Sequence, residues 1–329
     1  MKRRELLGGL AGAAALRPGA GSAQQAQSLP TVAIAFASVE GDPESLQRAR
    51  SFQAGMRDLG WIDGQTVRFA GRWMGNDPVR ARTVADELVA LKPDVILTMG
   101  TVAATALRAA TKSIPVVFVN VTDPVAGGYV ASLARPGGNM TGFTPFEYPI
   151  AGKWLALLKQ AAPGLSRVAL MGDPNNHNYR GFWGPFETTA QGLAIQPLKL
   201  PVGSAAEIEK GLEDLAAAPG GGVVVSAATF SLAHRELIFA LTARLRMPAI
   251  YWTRFFAATG GLMSYGPDTD ELYAKSAAYV SRILKGAHPA DLPVQTATRF
   301  ETVINLRTAR ALGLQIAPSL ASSADETIE

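Results

Sequence analysis

The sequence predicts an α/β chain of two similar lobes, each a parallel sheet flanked by helices, joined by a hinge. Three observations carry that expectation. Short apolar runs alternate with amphipathic stretches, the pattern of parallel strands connected by helical crossovers. The rhythm runs once from residue 31 to about residue 120, then starts over near residue 153. Finally, 329 residues with 48% apolar and 18% charged content supply two cores and too few charges for disorder.

Taken in order, Thr31–Ala37 is an unbroken apolar run and reads as a buried strand. After Gly41-Asp42-Pro43, apolar residues at Leu46, Ala49, Phe52, Met56 and Leu59 form a helical stripe stopped by Gly60. Val67–Ala70 reads as a strand, and Val84, Leu88 and Leu91 mark a helix ended by Pro93. Strand Asp94–Thr98, helix Thr101–Ala110 and strand Ile114–Asn120 complete the first run. The second run opens with helix Lys153–Ala161 and strand Arg167–Met171, then helix Tyr179–Gly192 and strand Gln196–Leu200. A helix carrying Ile208, Leu212 and Leu215 leads to strand Gly222–Val225, and one carrying Leu237, Leu241 and Leu245 leads to strand Ala249–Tyr251. Strand Gly261–Tyr265, helix Asp270–Lys285 and a strand-like Thr298–Asn305 close the chain.

The expected division is 30–142 with 267–296 for the N-terminal lobe and 143–266 for the C-terminal lobe, with 297–329 assigned to neither. The turn-rich Arg135-Pro136-Gly137-Gly138 precedes the first crossover, near Asn139–Glu147. The hinge is expected at Asn139–Pro145 and Tyr265–Asp268, with a third crossing beyond Pro289.

Residues 1–23 read as an export signal. A basic start is followed by apolar Leu6–Leu16, then by small residues up to Ala23, where cleavage is expected. Arg3-Arg4-Glu5-Leu6-Leu7 is similar to a twin-arginine signal. The apolar stretch is too short to span ~30 Å of hydrocarbon. Residues 24–29 are a polar linker. This leader also explains the charge: Lys2, Arg3, Arg4 and Arg17 against Glu5 supply three of the four net positive charges. The rest of the chain therefore has no basic excess with which to hold nucleic acid.

With no cysteine, disulfides, thiolate metal sites and cysteine nucleophiles are excluded. The three histidines, His177, His234 and His288, have no ligand spacing, so no metal is expected. No G-x-G-x-x-G, G-x-x-x-x-G-K-[ST] or G-x-S-x-G motif follows a strand, so no cofactor and no catalytic residue are expected.

In open parallel sheets, ligands collect at the carboxyl ends of strands, where helix N-termini offer free N–H groups. That rule selects Ser38, Gly100-Thr101 and Thr122-Asp123 in the first run. In the second it selects the loops holding Asn175, Thr229-Phe230 and Phe255. Ser38, Thr101 and Thr122 could receive a carboxylate, Asp123 an ammonium group, and Phe230 or Phe255 a planar ring. Each has a plainer alternative: Thr101, Asp123 and Asp173 as helix caps, Phe230, Tyr251, Trp252 and Phe256 as core. Arg254 reads equally as a carboxylate clamp or a solvated surface residue.

Several passages together resemble the substrate-binding proteins of ABC transporters of the tryptophan/tyrosine type. They are Asp123-Pro124-Val125, the run Ala131 to Asn139 (ASLARPGGN), Gly260 to Pro267 (GGLMSYGP), Ile283 to Ala287, Pro289 to Val294 and Ile304-Asn305-Leu306. At Asp173-Pro174-Asn175 this chain departs from the Asn-Pro start common in that family. The resemblance implies a type I periplasmic-binding-protein fold and a small solute held between the lobes, an aromatic amino acid among the candidates. It adds Ser264 and Tyr265 to the ligand-facing positions. It also implies a periplasmic monomer that closes about its hinge and docks on a membrane permease. The rival readings are a ligand-sensing subunit of a signalling system and an exported α/β hydrolase.

Overall fold

A computed structural model describes residues 29–75, 77–267 and 269–329, without the side chains of His177, Thr229, Thr269 and Asp270. The expected leader, nearly all of the linker, and Asp268 of the expected hinge lie outside the described residues.

The first run folds as β1 (Thr31–Phe36), α1 (Pro43–Asp58), β2 (Arg68–Trp73), α2 (Pro78–Ala90), β3 (Val95–Met99), α3 (Thr101–Ala110), β4 (Val116–Val119) and β5 (Met140–Thr144). Helix starts are chemically marked: Asp42 accepts the Ser45 N–H ahead of Pro43, and Asp77 accepts the Val79 N–H ahead of Pro78. The second run folds as α4 (Ile150–Ala161), β6 (Arg167–Gly172), α5 (His177–Gly192), β7 (Gln196–Pro201), α6 (Ala205–Ala216), β8 (Gly221–Val225), α7 (Thr229–Ala233), α8 (Arg235–Arg244), β9 (Ala249–Tyr251), α9 (Arg254–Ala258) and β10 (Met263–Pro267). The chain then supplies α10 (Thr269–Leu284), β11 (Gln295–Thr296), β12 (Phe300–Asn305), α11 (Leu306–Ala311), α12 (Pro318–Ser323) and β13 (Glu326–Ile328).

Two sheets result. The first has the order β11-β5-β4-β3-β1-β2 and the second β13-β12-β10-β9-β8-β6-β7. All neighbours are parallel except β10 and β12. Their antiparallel pairing sits in sheets that are parallel-dominated as expected, and connectivity explains it. Strand β10 runs out of the second lobe toward the first, whereas β12 enters from the first lobe at the same end.

Side-chain alternation places a core on each face of the first sheet. Val32, Ile34 and Phe36 of β1 face α1 and α10, while Ala33 and Ala35 face α2 and α3. The buried stripe of α1 is Ser45, Arg48, Ala49, Phe52 and Met56. Leu46 and Leu59, expected in that stripe, are 38% and 43% exposed, because the stripe is rotated by about one residue. The second sheet shares one large core, including Trp154, Phe182, Phe186 and Phe256.

The chain passes between sheets three times: from β5 to α4, from β10 to α10, and from β11 to β12. It leaves the first sheet after Thr144, two residues beyond the boundary expected at 142, because β5 is a full strand where a crossover was read. Likewise Pro267 is the last residue of β10 and belongs to the second sheet. Strands β12 and β13, from the segment that the sequence left unassigned, also extend the second sheet. Among the described residues no helix is long and apolar enough to cross a membrane.

Candidate functional site

Because β5 and β10 both lead out of their sheets at their carboxyl ends, the carboxyl ends of the two sheets face each other. The strand-end loops enclose a cavity of about 50 Å³. The first lobe contributes Ala37-Ser38 after β1, Met99 with Gly100-Thr101 after β3, and Asn120 with Thr122 after β4. The second contributes Asn176 and Asn178 after β6, Ala227-Ala228 after β8 and Trp252 after β9, with Leu232 of α7. Ser45 and Arg48 of α1 and Tyr273 of α10 complete the wall. At ~10–15 Å³ per water, this space holds only a few waters.

The polar groups are held in a network. Ser38 and Ser45 share a hydroxyl hydrogen bond of 2.7 Å. Asn178, 2% exposed, links the lobes: its Nδ2 donates to Thr101 Oγ1 at 3.4 Å, and its Oδ1 accepts from Tyr148 OH at 3.2 Å. Burial, with Asp123 nearby, pushes the Tyr148 phenol up to about 12, so it remains a donor at neutral pH. Arg48, 5% exposed, pairs with Glu44 one turn earlier on α1, and its guanidinium lies 5.5 Å from the Tyr273 ring centroid. Trp252 is 4% exposed, and its Nε1 has no hydrogen-bond acceptor among the described residues.

At the start of α3, Gly100 has φ 94°, a conformation costly for any side chain, and no side chain caps the helix. Its first-turn N–H groups therefore lack intrahelical acceptors where Gly100 and Thr101 line the cavity.

Of the residues expected from sequence, Ser38, Gly100, Thr101 and Thr122 line this cavity. Asn175 and Phe230 line a second, outer space of about 300 Å³ between the lobes, which shares Thr101, Asn176 and Ala228 with the inner one. Thr229 begins α7, and its side chain is outside the described residues. Asp123, at φ 43°, accepts the Ala126 N–H with its own carboxylate and is absent from both linings. Phe255 packs on the second core beneath the Arg235 guanidinium. Ser264 is fully buried in β10, and Tyr265 stacks on Phe300 beside the crossings. Arg254 is a carboxylate clamp, but for Glu326 of this chain, with contacts of 2.8 and 2.9 Å. Sequence reading missed Arg48 and Tyr273 because they approach from helices and not from strand ends. The available signal was a lone arginine at a buried-stripe position of α1. Among the described residues, no group of three or more His, Asp or Glu side chains is placed to hold a metal.

Two α/β lobes, three crossings and a polar cavity built by both sheets define a type I periplasmic-binding-protein architecture, a class that holds a small solute between lobes. The family described as ABC transporter substrate binding protein matches residues 31–328, and the chain belongs to it. It is 26% identical over 278 residues to a tyrosine-binding protein of Clostridioides difficile (strain R20291), covering 82% of this chain and 78% of that one. A Streptococcus pneumonia ABC domain in complex with L-Trp superposes with a TM-score of 0.84 at 24% identity, covering 92% of this chain and all of that one. The ligand-free, open structure of a substrate-binding protein with adhesive properties from Clostridium difficile gives 0.67 at 22% identity, covering 92% and 99%. Members of this family bind small-molecule solutes and work with ABC permeases, outside the cytoplasm.

Proposed function

We propose that this chain is the solute receptor of an ABC importer. It takes a small organic solute into the space between its lobes, closes about the three crossings, and presents the closed form to the permease. The proposal includes export with residues 1–23 removed, a periplasmic location, a monomeric state, no nucleic acid and no catalysis. Ser38, Gly100, Thr101 and Thr122 are the proposed inner contacts of the first lobe, with Asn175 and Phe230 in the outer space. One observation carries the reading: the inner cavity is walled by hydrogen-bonding groups from both lobes, joined directly by Asn178 and Thr101. A ligand touching both lobes has differential affinity for the closed form, which is what closure requires. Aromatic amino acids head the test set, because similar proteins are named for tyrosine or were solved with L-Trp.

The test is a thermal-shift screen of the mature protein against amino acids, organic acids, nucleosides and sugars. A solute at about 100-fold above its Kd adds ~2.7 kcal/mol of stability. A screen in which no class shifts the transition contradicts the receptor reading.

A further inference from the structure

The geometry points to Gly181 as a positioning residue for solute capture: lacking a side chain, it seats the Tyr148 ring on α5, and the seated ring aims Asn178 at Thr101. This rests on the receptor reading and names what holds the interlobe bridge in place.

One face of α5 builds the seat. Asn178, Gly181 and Phe182 are spaced i, i+3 and i+4, so they lie side by side on the helix. The Tyr148 hydroxyl donates to Asn178 Oδ1 at 3.2 Å, and its ring meets the Phe182 ring edge-on with centroids 5.3 Å apart. Between these two contacts the ring passes over Gly181. A Cβ at Gly181 would lie 2.5 Å from Tyr148 Cε1 and closer still to Cε2 and Cζ. Any residue with a Cβ therefore collides with the hydroxyl-bearing end of the ring. The collision belongs to this position and not to the helix. At Gly192, also on α5, a Cβ would meet nothing within 4 Å.

The ring is what must yield. Helix α5 is tied into the second core by Phe182 and Phe186, both fully buried. Tyr148 is half-buried. Its carbonyl accepts the Ala151 N–H at 3.1 Å, which holds the main chain and leaves the side chain to turn. Because Cζ bears the oxygen and is the ring atom nearest to the intruding Cβ, a displaced ring carries its hydroxyl off Asn178.

Asn178 is where the seat reaches the solute. It lines the inner cavity beside Thr101, to which its Nδ2 donates, whereas Tyr148 and Gly181 belong to neither the inner nor the outer lining. With Oδ1 held by the phenol, the amide presents Nδ2 to the first lobe in advance. Without the phenol, ordering that amide falls to the binding step and weakens it.

The experiment pairs calorimetric titration with L-tryptophan and L-tyrosine with small-angle scattering of the unliganded protein. It compares the mature protein with Gly181→Ala, Tyr148→Ala, the double variant and, as a control, Gly192→Ala. Gly181→Ala raises the apparent Kd roughly fivefold and enlarges the unliganded radius of gyration. In the Tyr148→Ala background the same change moves neither, since no ring is left to displace. Gly192→Ala leaves both at the parent's values. A purely local effect on α5 would act equally in both backgrounds, and that result overturns the inference. So does a Gly181→Ala variant with the parent's Kd and radius. Where Gly181→Ala folds poorly, Tyr148→Phe keeps the ring seated and removes only the hydroxyl; it too raises the Kd, and parental affinity overturns the inference. If neither amino acid binds, the scattering series alone decides the role of Gly181, while the receptor reading is decided by the wider thermal-shift screen.

Discussion

Arg48 illustrates what a single buried charge demands. Its side chain is 6% exposed and that of Glu44 12%, so neither ion is well solvated and each depends on the other. Removing one partner costs more than removing both. Arg48→Met is expected to lower the stability of the unliganded protein by about 3–5 kcal/mol in urea denaturation, and the double change Glu44→Gln with Arg48→Met to recover most of it. A double variant no more stable than the single one would show that the pair is not the source. At this scale the strand-end rule picks out residues of the cavity lining, since Ser38, Gly100, Thr101 and Thr122 follow strands whose carboxyl ends face the other lobe. It could not see Arg48 or Tyr273, since a helix residue reaches a cleft only through the rotation of its helix. Asp123 is a strand-end carboxylate whose Oδ1 accepts the Ala126 N–H of its own turn and which is absent from both linings.

The pairing of α1 with α10 locks that wall from behind. Gly55 is the contact point: a Cβ there would lie 2.8 Å from the Ala274 carbonyl oxygen and 2.9 Å from Ala277 Cβ. Gly55→Ala gains up to ~1 kcal/mol of helix propensity, but overpacking costs roughly 1–3 kcal/mol, so the variant should be less stable. Chemical denaturation gives the sign directly, and a stabilised variant would mean that the two helices can separate freely. Elements with a full period were legible. Strands β1, β3 and β4 are largely apolar runs buried on both faces, and α3 spans Thr101–Ala110, the range expected from the sequence. Strand β5 was not, because MTGFT lacks an apolar run and owes its burial to the sheet beside it. Its Gly142 also marks a close approach, since a Cβ there would fall on the Phe118 backbone. Helices α7 and α9, five residues each, are too short for any periodicity to show.

For the molecule as a whole, three crossings join the lobes, and the proposed receptor function makes them the hinge about which closure occurs. Direct polar bridging between the walls then sets how much of the closed form exists. Asn178 is such a bridge, held by Tyr148 from the first crossing and reaching Thr101 at the start of α3. Asn178→Ala removes both bonds. The closed state loses about 1 kcal/mol, and the apparent Kd for any solute that binds between the lobes rises roughly fivefold. The loss belongs to closure and not to one ligand contact, so ligands of different chemistry should weaken by similar factors. Small-angle scattering separates the two explanations. The unliganded variant should have a larger radius of gyration than the unliganded parent, and saturating ligand should bring both to the same value. Equal dimensions without ligand, together with a loss confined to one ligand, would make Asn178 an ordinary contact and remove the bridge from the account of closure.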